Sequence, residues 1–173
     1  MDEPLEKNFV QQMRDVLKKH LSEFEAAKKK EEHDAGVVAN DGARRWRELK
    51  DSLKRLVEEI DEELPEEMLS HSENENGNEF TLRHELSERT MQVTFDPASA
   101  VVSYQGSSGK GAFRPRVEED ALEYGWENTI PCGVAKQRRA ITFEDDKPPI
   151  AFSTKEMSEI IIRCVVVEPV SDD

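Results

Sequence analysis

The spacing of apolar residues changes once along this chain, and that change most constrains the fold. From about residue 4 to residue 64, apolar residues recur every three or four positions, which is the period of an amphipathic helix. From residue 80 onward they alternate with polar residues, as in a strand with one buried face. Residues 70–79, between these parts, are entirely polar apart from one glycine. The pattern predicts an α+β protein with helices first and a sheet second.

The helical part is predicted to form an antiparallel helical hairpin, with helices at residues 4–32 and 43–64. The connection DAGVVANDG holds two glycines and an Asp-Gly pair, which are typical of a break between helices. Pro65 is expected to end the second helix. Five apolar residues of that second helix are spaced like the a and d positions of a coiled coil: Trp46, Leu49, Leu53, Leu56 and Ile60.

Two helices cannot cover an apolar seam of this size by themselves. The seam also includes Phe9 and Phe24 of the first helix. We therefore predict that these seven residues bind a protein partner or a second copy of the chain.

The second part is predicted to be an antiparallel β-meander followed by a C-terminal amphipathic helix. Phe80, Leu82 and His84 alternate with polar residues, and further alternating segments follow. Ser153 and Glu156 form a capping-box pattern at the start of the last helix. The predicted domains are a coiled-coil-like hairpin at 1–69, a polar linker at 70–79 and a β-rich domain at 80–173.

Charge and cysteine content limit the partners and the compartment. The formal net charge is −14, which disfavours binding to nucleic acid and to anionic membranes. The N-terminus has no basic region followed by an apolar run, so no secretory signal is predicted. Two cysteines without a paired spacing do not indicate a disulfide framework. We expect a reduced, cytoplasmic protein.

The glycine-rich stretch at residues 104–113 resembles a phosphate-binding loop only in composition. Gly109-Lys110 is followed by Gly111 rather than Ser or Thr, and Pro115 prevents a helix from starting there. We predict a hairpin tip and no nucleotide cofactor. Lys110, Arg114 and Arg116 leave a small basic spot that an acidic partner could contact.

No catalytic or metal-binding residues are assigned from the sequence. The four histidines have no local zinc-ligand spacing. Cys132, between a proline and a glycine, is the one nucleophile in a suggestive setting, and His84 is its only candidate base. Cys164 is expected in the core of the last helix.

Three functions therefore stay open. The first is a non-enzymatic cytosolic adaptor that self-associates or binds a partner through the hairpin. The second is an acidic inhibitor or antitoxin-like protein, whose carboxylates at residues 58–67 bind a basic partner. The third is an enzyme or ligand sensor with a pocket between the sheet and the C-terminal helix.

Overall fold

The computed structural model describes residues 3–107, 109–130 and 151–167, with the side chains of residues 7–107, 109–127 and 151–167. The elements are α1 (Glu3–Glu62), β1 (Leu69–Glu73), β2 (Glu79–His84), β3 (Thr90–Phe95), β4 (Val102–Gly106), β5 (Gly109–Glu118), β6 (Ala121–Ile130) and α2 (Thr154–Val166). The protein is therefore α+β, with an antiparallel sheet and a C-terminal helix, as predicted.

The N-terminal helix is continuous, so the predicted helical hairpin is not observed. α1 runs through DAGVVANDG without a break. A glycine inside a helix costs only about 1 kcal/mol relative to alanine. Val37, between the two glycines, and Trp46, just beyond them, are both buried, and their burial offsets that cost.

The two glycines of α1 lie in different surroundings. A Cβ at Gly42 would lie 2.7 Å from the Cβ of Ala100, which is closer than packed atoms approach. A Cβ at Gly36 would have nothing within 4 Å. Gly42 therefore allows close packing of α1 on the β3–β4 connection, and Gly36 has no such role.

We expect alanine to have opposite effects at these two positions. Gly42→Ala should lower the free energy of unfolding by about 1–3 kcal/mol, because the added methyl group forces α1 away from Ala100. Gly36→Ala should raise it by about 0.5–1 kcal/mol, because alanine favours the helix and meets no obstacle. Urea denaturation of both variants checks this. Effects of the same sign would contradict the packing assigned to Gly42.

The sheet is a meander in which each strand pairs with the next along the chain, in the order β1-β2-β3-β4-β5-β6. β1 lies within the stretch predicted as a polar linker, and residues 74–78 connect it to β2. Periodicity missed β1 because it is an edge strand in which only Leu69 is buried. Gly77, in the turn before β2, has a φ of 74°, a conformation that favours glycine.

The turn before β2 is held against α1. The Trp46 indole donates to the Gly77 carbonyl at 2.7 Å, and Lys50 Nζ donates to the same oxygen at 3.0 Å. Lys50 and Lys54 both form ion pairs with Glu73. The pKa of the Glu73 carboxyl is lowered, and the hydrogen bond from Lys54 is the largest cause.

The core lies between one face of the sheet, α2 and the part of α1 that begins at Val37. The Trp46 ring stacks on Phe95 with centroids 5.4 Å apart. Ser158, fully buried on α2, shares a 2.8 Å hydrogen bond with Ser52 of α1. The chain divides into two compact units, Met1–Gly36 and Val37–Asp173. This division falls inside α1, and the predicted domain boundary at residues 70–79 stays a prediction.

α2 agrees with its sequence pattern. Its N-cap is Ser153, and the capping box with Glu156 is formed. At the other end, the Arg89 guanidinium donates to the carbonyls of Val165 and Val166 at 3.1 and 2.8 Å. This contact satisfies two carbonyls that the end of a helix otherwise leaves unpaired.

Cys164 is buried on α2, as expected, but it is disulfide-bonded and not a free thiol. Local spacing could not indicate this bond, because disulfide pairing depends on distances set by the tertiary structure. The cytoplasmic location stays a prediction, and Cys132 lies outside the described residues.

Candidate protein-interaction surface

The unit Met1–Gly36 carries an apolar surface that no described residue covers. Seven large apolar side chains of α1 are between 41% and 68% exposed. Together with His20 they form what we call the N-terminal stripe: Phe9, Val10, Met13, Val16, Leu17, His20, Leu21 and Phe24.

The stripe occupies one side of the helix. At about 100° per residue its members fall within an arc of about 140°. Single exposed apolar residues are ordinary, whereas a contiguous group of this kind is a candidate interaction surface. Phe9 and Phe24, at 61% and 68% exposure, contribute the two largest side chains.

The charges around the stripe differ in sign from those of the whole protein. Residues 7–30 hold seven Lys or Arg and three Asp or Glu, a net charge of +4, in a chain of net charge −14. Lys19 and Glu23 form an ion pair at 4.0 Å, with both side chains exposed. Charged side chains therefore border the stripe, and none of them interrupts it between Phe9 and Leu21.

The structure divides the seven residues predicted to bind a partner. Phe9 and Phe24 are exposed, but Trp46, Leu49 and Leu53 are at most 4% exposed and lie in the core. Of the remaining two, Leu56 is half-buried against that core, and Ile60 is 40% exposed near the end of α1.

Three of the seven residues are therefore buried within the chain itself, and the partner-binding role of the set stays a prediction. A heptad spacing identifies the apolar side of a helix, but it does not say whether a sheet or another molecule covers that side. The stripe also contains five exposed apolar residues beyond the two named as partner-binding: Val10, Met13, Val16, Leu17 and Leu21. Their spacing of three and four positions in the sequence already places them on the apolar side of the first helix.

The acidic stretch at residues 58–67 lies at the end of α1. A hollow of about 720 Å³ opens there. Its lining is mostly acidic: Arg55, Val57, Glu58, Glu59, Asp61, Glu62, Glu67 and His71. Two of these carboxylates have structural contacts. Glu59 forms an ion pair with Arg55 at 3.8 Å, and Asp61 accepts hydrogen bonds from the backbone N–H groups of Met68 and Leu69 at 3.1 and 3.3 Å.

The described side chains that could serve in catalysis make contacts within the fold. Nδ1 of His84 lies 2.6 Å from the Ser87 hydroxyl, and Cys132 lies outside the described residues. Burial raises the pKa of Tyr104 to about 12 and that of Tyr124 to about 12. Both phenols are therefore protonated near neutral pH, and Tyr124 donates to the Ala100 carbonyl at 2.8 Å.

The glycine-rich stretch forms the β4–β5 hairpin, in which Gly106 pairs with Gly109. Side chains at two of its glycines would collide with neighbours. A Cβ at Gly106 would overlap the Thr90 carbonyl, and one at Gly111 would overlap the Tyr104 phenol. These glycines permit close packing. In the nearby basic spot, Arg114 forms an ion pair with Glu127.

No group of three or more His, Cys, Asp or Glu side chains in the described part of the chain is arranged to hold a metal ion. None of the helices within residues 3–107, 109–130 and 151–167 is both long and apolar enough to span a membrane. Comparison with protein-family models, curated proteins and solved structures found no match for the chain.

Proposed function

We propose that this protein is a non-enzymatic adaptor that self-associates through the N-terminal stripe. The observation that carries the proposal is the exposure of seven large apolar side chains within one arc of α1. No part of the described chain covers them. A surface of this composition is stabilised when it leaves water, and a second copy of the same helix supplies a complementary apolar surface.

The size of the stripe suits a modest interface. Side chains of this kind expose on the order of 100 Å² each, so the seven apolar residues of the stripe offer roughly 700 Å² of apolar surface. A standard interface buries about 800 Å² on each partner, counting polar and apolar atoms together. An arc of about 140° is also wider than the seam of a two-stranded coiled coil. The apolar area therefore suits an interface with another copy of α1, and the width of the arc allows contact with more than one copy.

An adaptor also needs a second surface, which we assign to the unit Val37–Asp173. The sheet face opposite the core carries exposed polar residues such as Thr94, Ser103 and Gln105. This face remains open to another protein in the described structure.

Sedimentation velocity of the full chain tests the proposal. The wild type should form oligomers whose population grows with concentration through the micromolar range. Phe24→Glu should shift the protein to monomer, because a carboxylate in the apolar interface would lose its water. Ser22→Glu is the matched control: Ser22 is exposed on the opposite side of α1, so the same added charge should leave association unchanged.

Two outcomes would overturn the proposal. One is a wild type that stays monomeric at every concentration. The other is a monomer that binds vesicles containing phosphatidylserine in a Phe24-dependent way, which would assign the basic amphipathic segment to a membrane surface.

The acidic hollow at residues 58–67 favours a second candidate, an inhibitor or antitoxin-like protein that binds a basic partner. The two candidates predict opposite salt dependence. Copies that each carry a net charge of −14 repel one another, so salt should strengthen self-association by screening that repulsion. Docking of a basic partner on the hollow should weaken with salt.

A further inference from the structure

His20 is the one ionisable side chain of the N-terminal stripe. It lies on the same side of α1 as Leu17 and Phe24, which are 64% and 68% exposed. The nearest carboxylate along this side belongs to Glu23, which forms an ion pair with Lys19 at 4.0 Å. Any partner that covers the stripe must therefore cover an imidazole in an apolar setting.

Heptad positions indicate how a second copy would meet His20. Val10, Leu17 and Phe24 occupy a positions, and Met13 and His20 occupy d positions. In a parallel, in-register pair, each d residue faces its own counterpart. His20 would then face His20 of the second copy, in a layer completed by that copy's Leu17, Leu21 and Phe24.

The flanking positions favour the parallel arrangement. Parallel helices bring g residues near the e residues that follow in the next heptad. Here that places Val16 beside Leu21 of the second copy and Glu23 beside Lys28 of the second copy. An antiparallel pair centred on the same layer would place Val16 opposite Glu23 and Arg14 opposite Leu21. The same rule places Phe9 beside Arg14 of the second copy, so the parallel pair has two matched flanking pairs and one mismatch, whereas both antiparallel pairs named above are mismatched.

We propose that α1 self-associates in parallel register and that the facing His20 side chains make the assembly acid-labile. This inference rests on the proposed function. Histidine changes charge between pH 5 and 8. Two facing imidazolium groups, surrounded by leucine and phenylalanine, repel each other and lose hydration. Protonation therefore favours the separated chains.

The charged side chains around His20 do not cancel the repulsion between the two protonated imidazoles. Glu23 of either copy has Lys19 on its own helix and Lys28 on the other copy as partners. The protein's overall charge acts in the opposite direction, because acid reduces the repulsion between negatively charged copies. Association that weakens between pH 7.5 and pH 5.8 therefore points to a local group in the interface.

Sedimentation velocity of the full chain at pH 7.5 and pH 5.8, at constant ionic strength, tests the inference. The wild-type dissociation constant should rise at least tenfold at pH 5.8. His20→Leu should bind more tightly at pH 7.5 and lose the pH dependence. His33→Leu is the control: His33 is exposed on the opposite side of α1, so this variant should behave as the wild type.

A charge reversal tests the register. Glu23→Lys should weaken association at pH 7.5, and the double variant Glu23→Lys, Lys28→Glu should restore it. Equal association of the wild type at both pH values would overturn the inference, as would acid lability that survives His20→Leu or a double variant that stays weak. A wild type that is monomeric at pH 7.5 would instead remove the proposed function itself.

Discussion

Trp46→Ala is expected to lower the free energy of unfolding by about 3–5 kcal/mol, the usual cost of truncating a large buried aromatic side chain. Trp46 is 4% exposed, stacks on Phe95 and donates to the Gly77 carbonyl. Its loss would leave a cavity and remove one of the two hydrogen bonds that the Gly77 carbonyl accepts, since the bond from Lys50 remains. Urea denaturation, measured at a protein concentration low enough to keep the chain monomeric, gives the value.

Phe24→Ala is the matched comparison for Trp46→Ala. Phe24 is 68% exposed, so its truncation should change the stability of the monomer by no more than about 0.5 kcal/mol. The same change should weaken self-association. Equal stability losses in the two variants would contradict the division of α1 into a core-packing part and an exposed stripe.

The fragment 37–173 is expected to fold alone, whereas the fragment 78–173 is expected to stay unfolded. The shorter fragment loses six buried core residues: Val37, Trp46, Leu49, Leu53, Val57 and Leu69. At about 1.5–3 kcal/mol each, their burial contributes on the order of 10 kcal/mol, comparable with the whole stability of a typical domain. The longer fragment keeps every residue of the core cluster.

Circular dichroism and thermal unfolding of both fragments check this expectation. A cooperative transition in 78–173 would show that the sheet and α2 form a sufficient core without α1. The fragment 37–173 should also be monomeric, because it lacks the N-terminal stripe. Its association at micromolar concentration would move the interaction surface into the unit Val37–Asp173.

The sequence predicted those elements whose signals are local. The alternation from Phe80 onward gave the meander, and Ser153 with Glu156 gave the start of α2. The connection at residues 104–113 was recognised as a hairpin tip because Pro115 and the missing hydroxyl ruled out a phosphate loop. Each of these features depends on neighbours within a few residues.

The errors concern features set by distant residues. The sequence around Gly42 is typical of a helix break, but in the structure Gly42 allows α1 to pack closely against Ala100, 58 positions further along the chain. β1 shows no alternation of apolar and polar residues because it is an edge strand in which only Leu69 is buried. Trp46 and Phe24 have the same helical periodicity, and only the tertiary structure separates a core residue from an exposed one. The sequence therefore identifies the apolar side of α1 but not which part of that side is exposed.

The order of the strands affects how this protein is synthesised. Every strand pairs with its neighbour along the chain, so the sheet has a low contact order and can form one hairpin at a time as the ribosome extends the chain. α2 is the last described element, and it supplies seven buried residues. Until it emerges, part of the apolar sheet face remains open to water. The nascent chain should therefore depend on chaperones most strongly until α2 has left the ribosome and packed on the sheet.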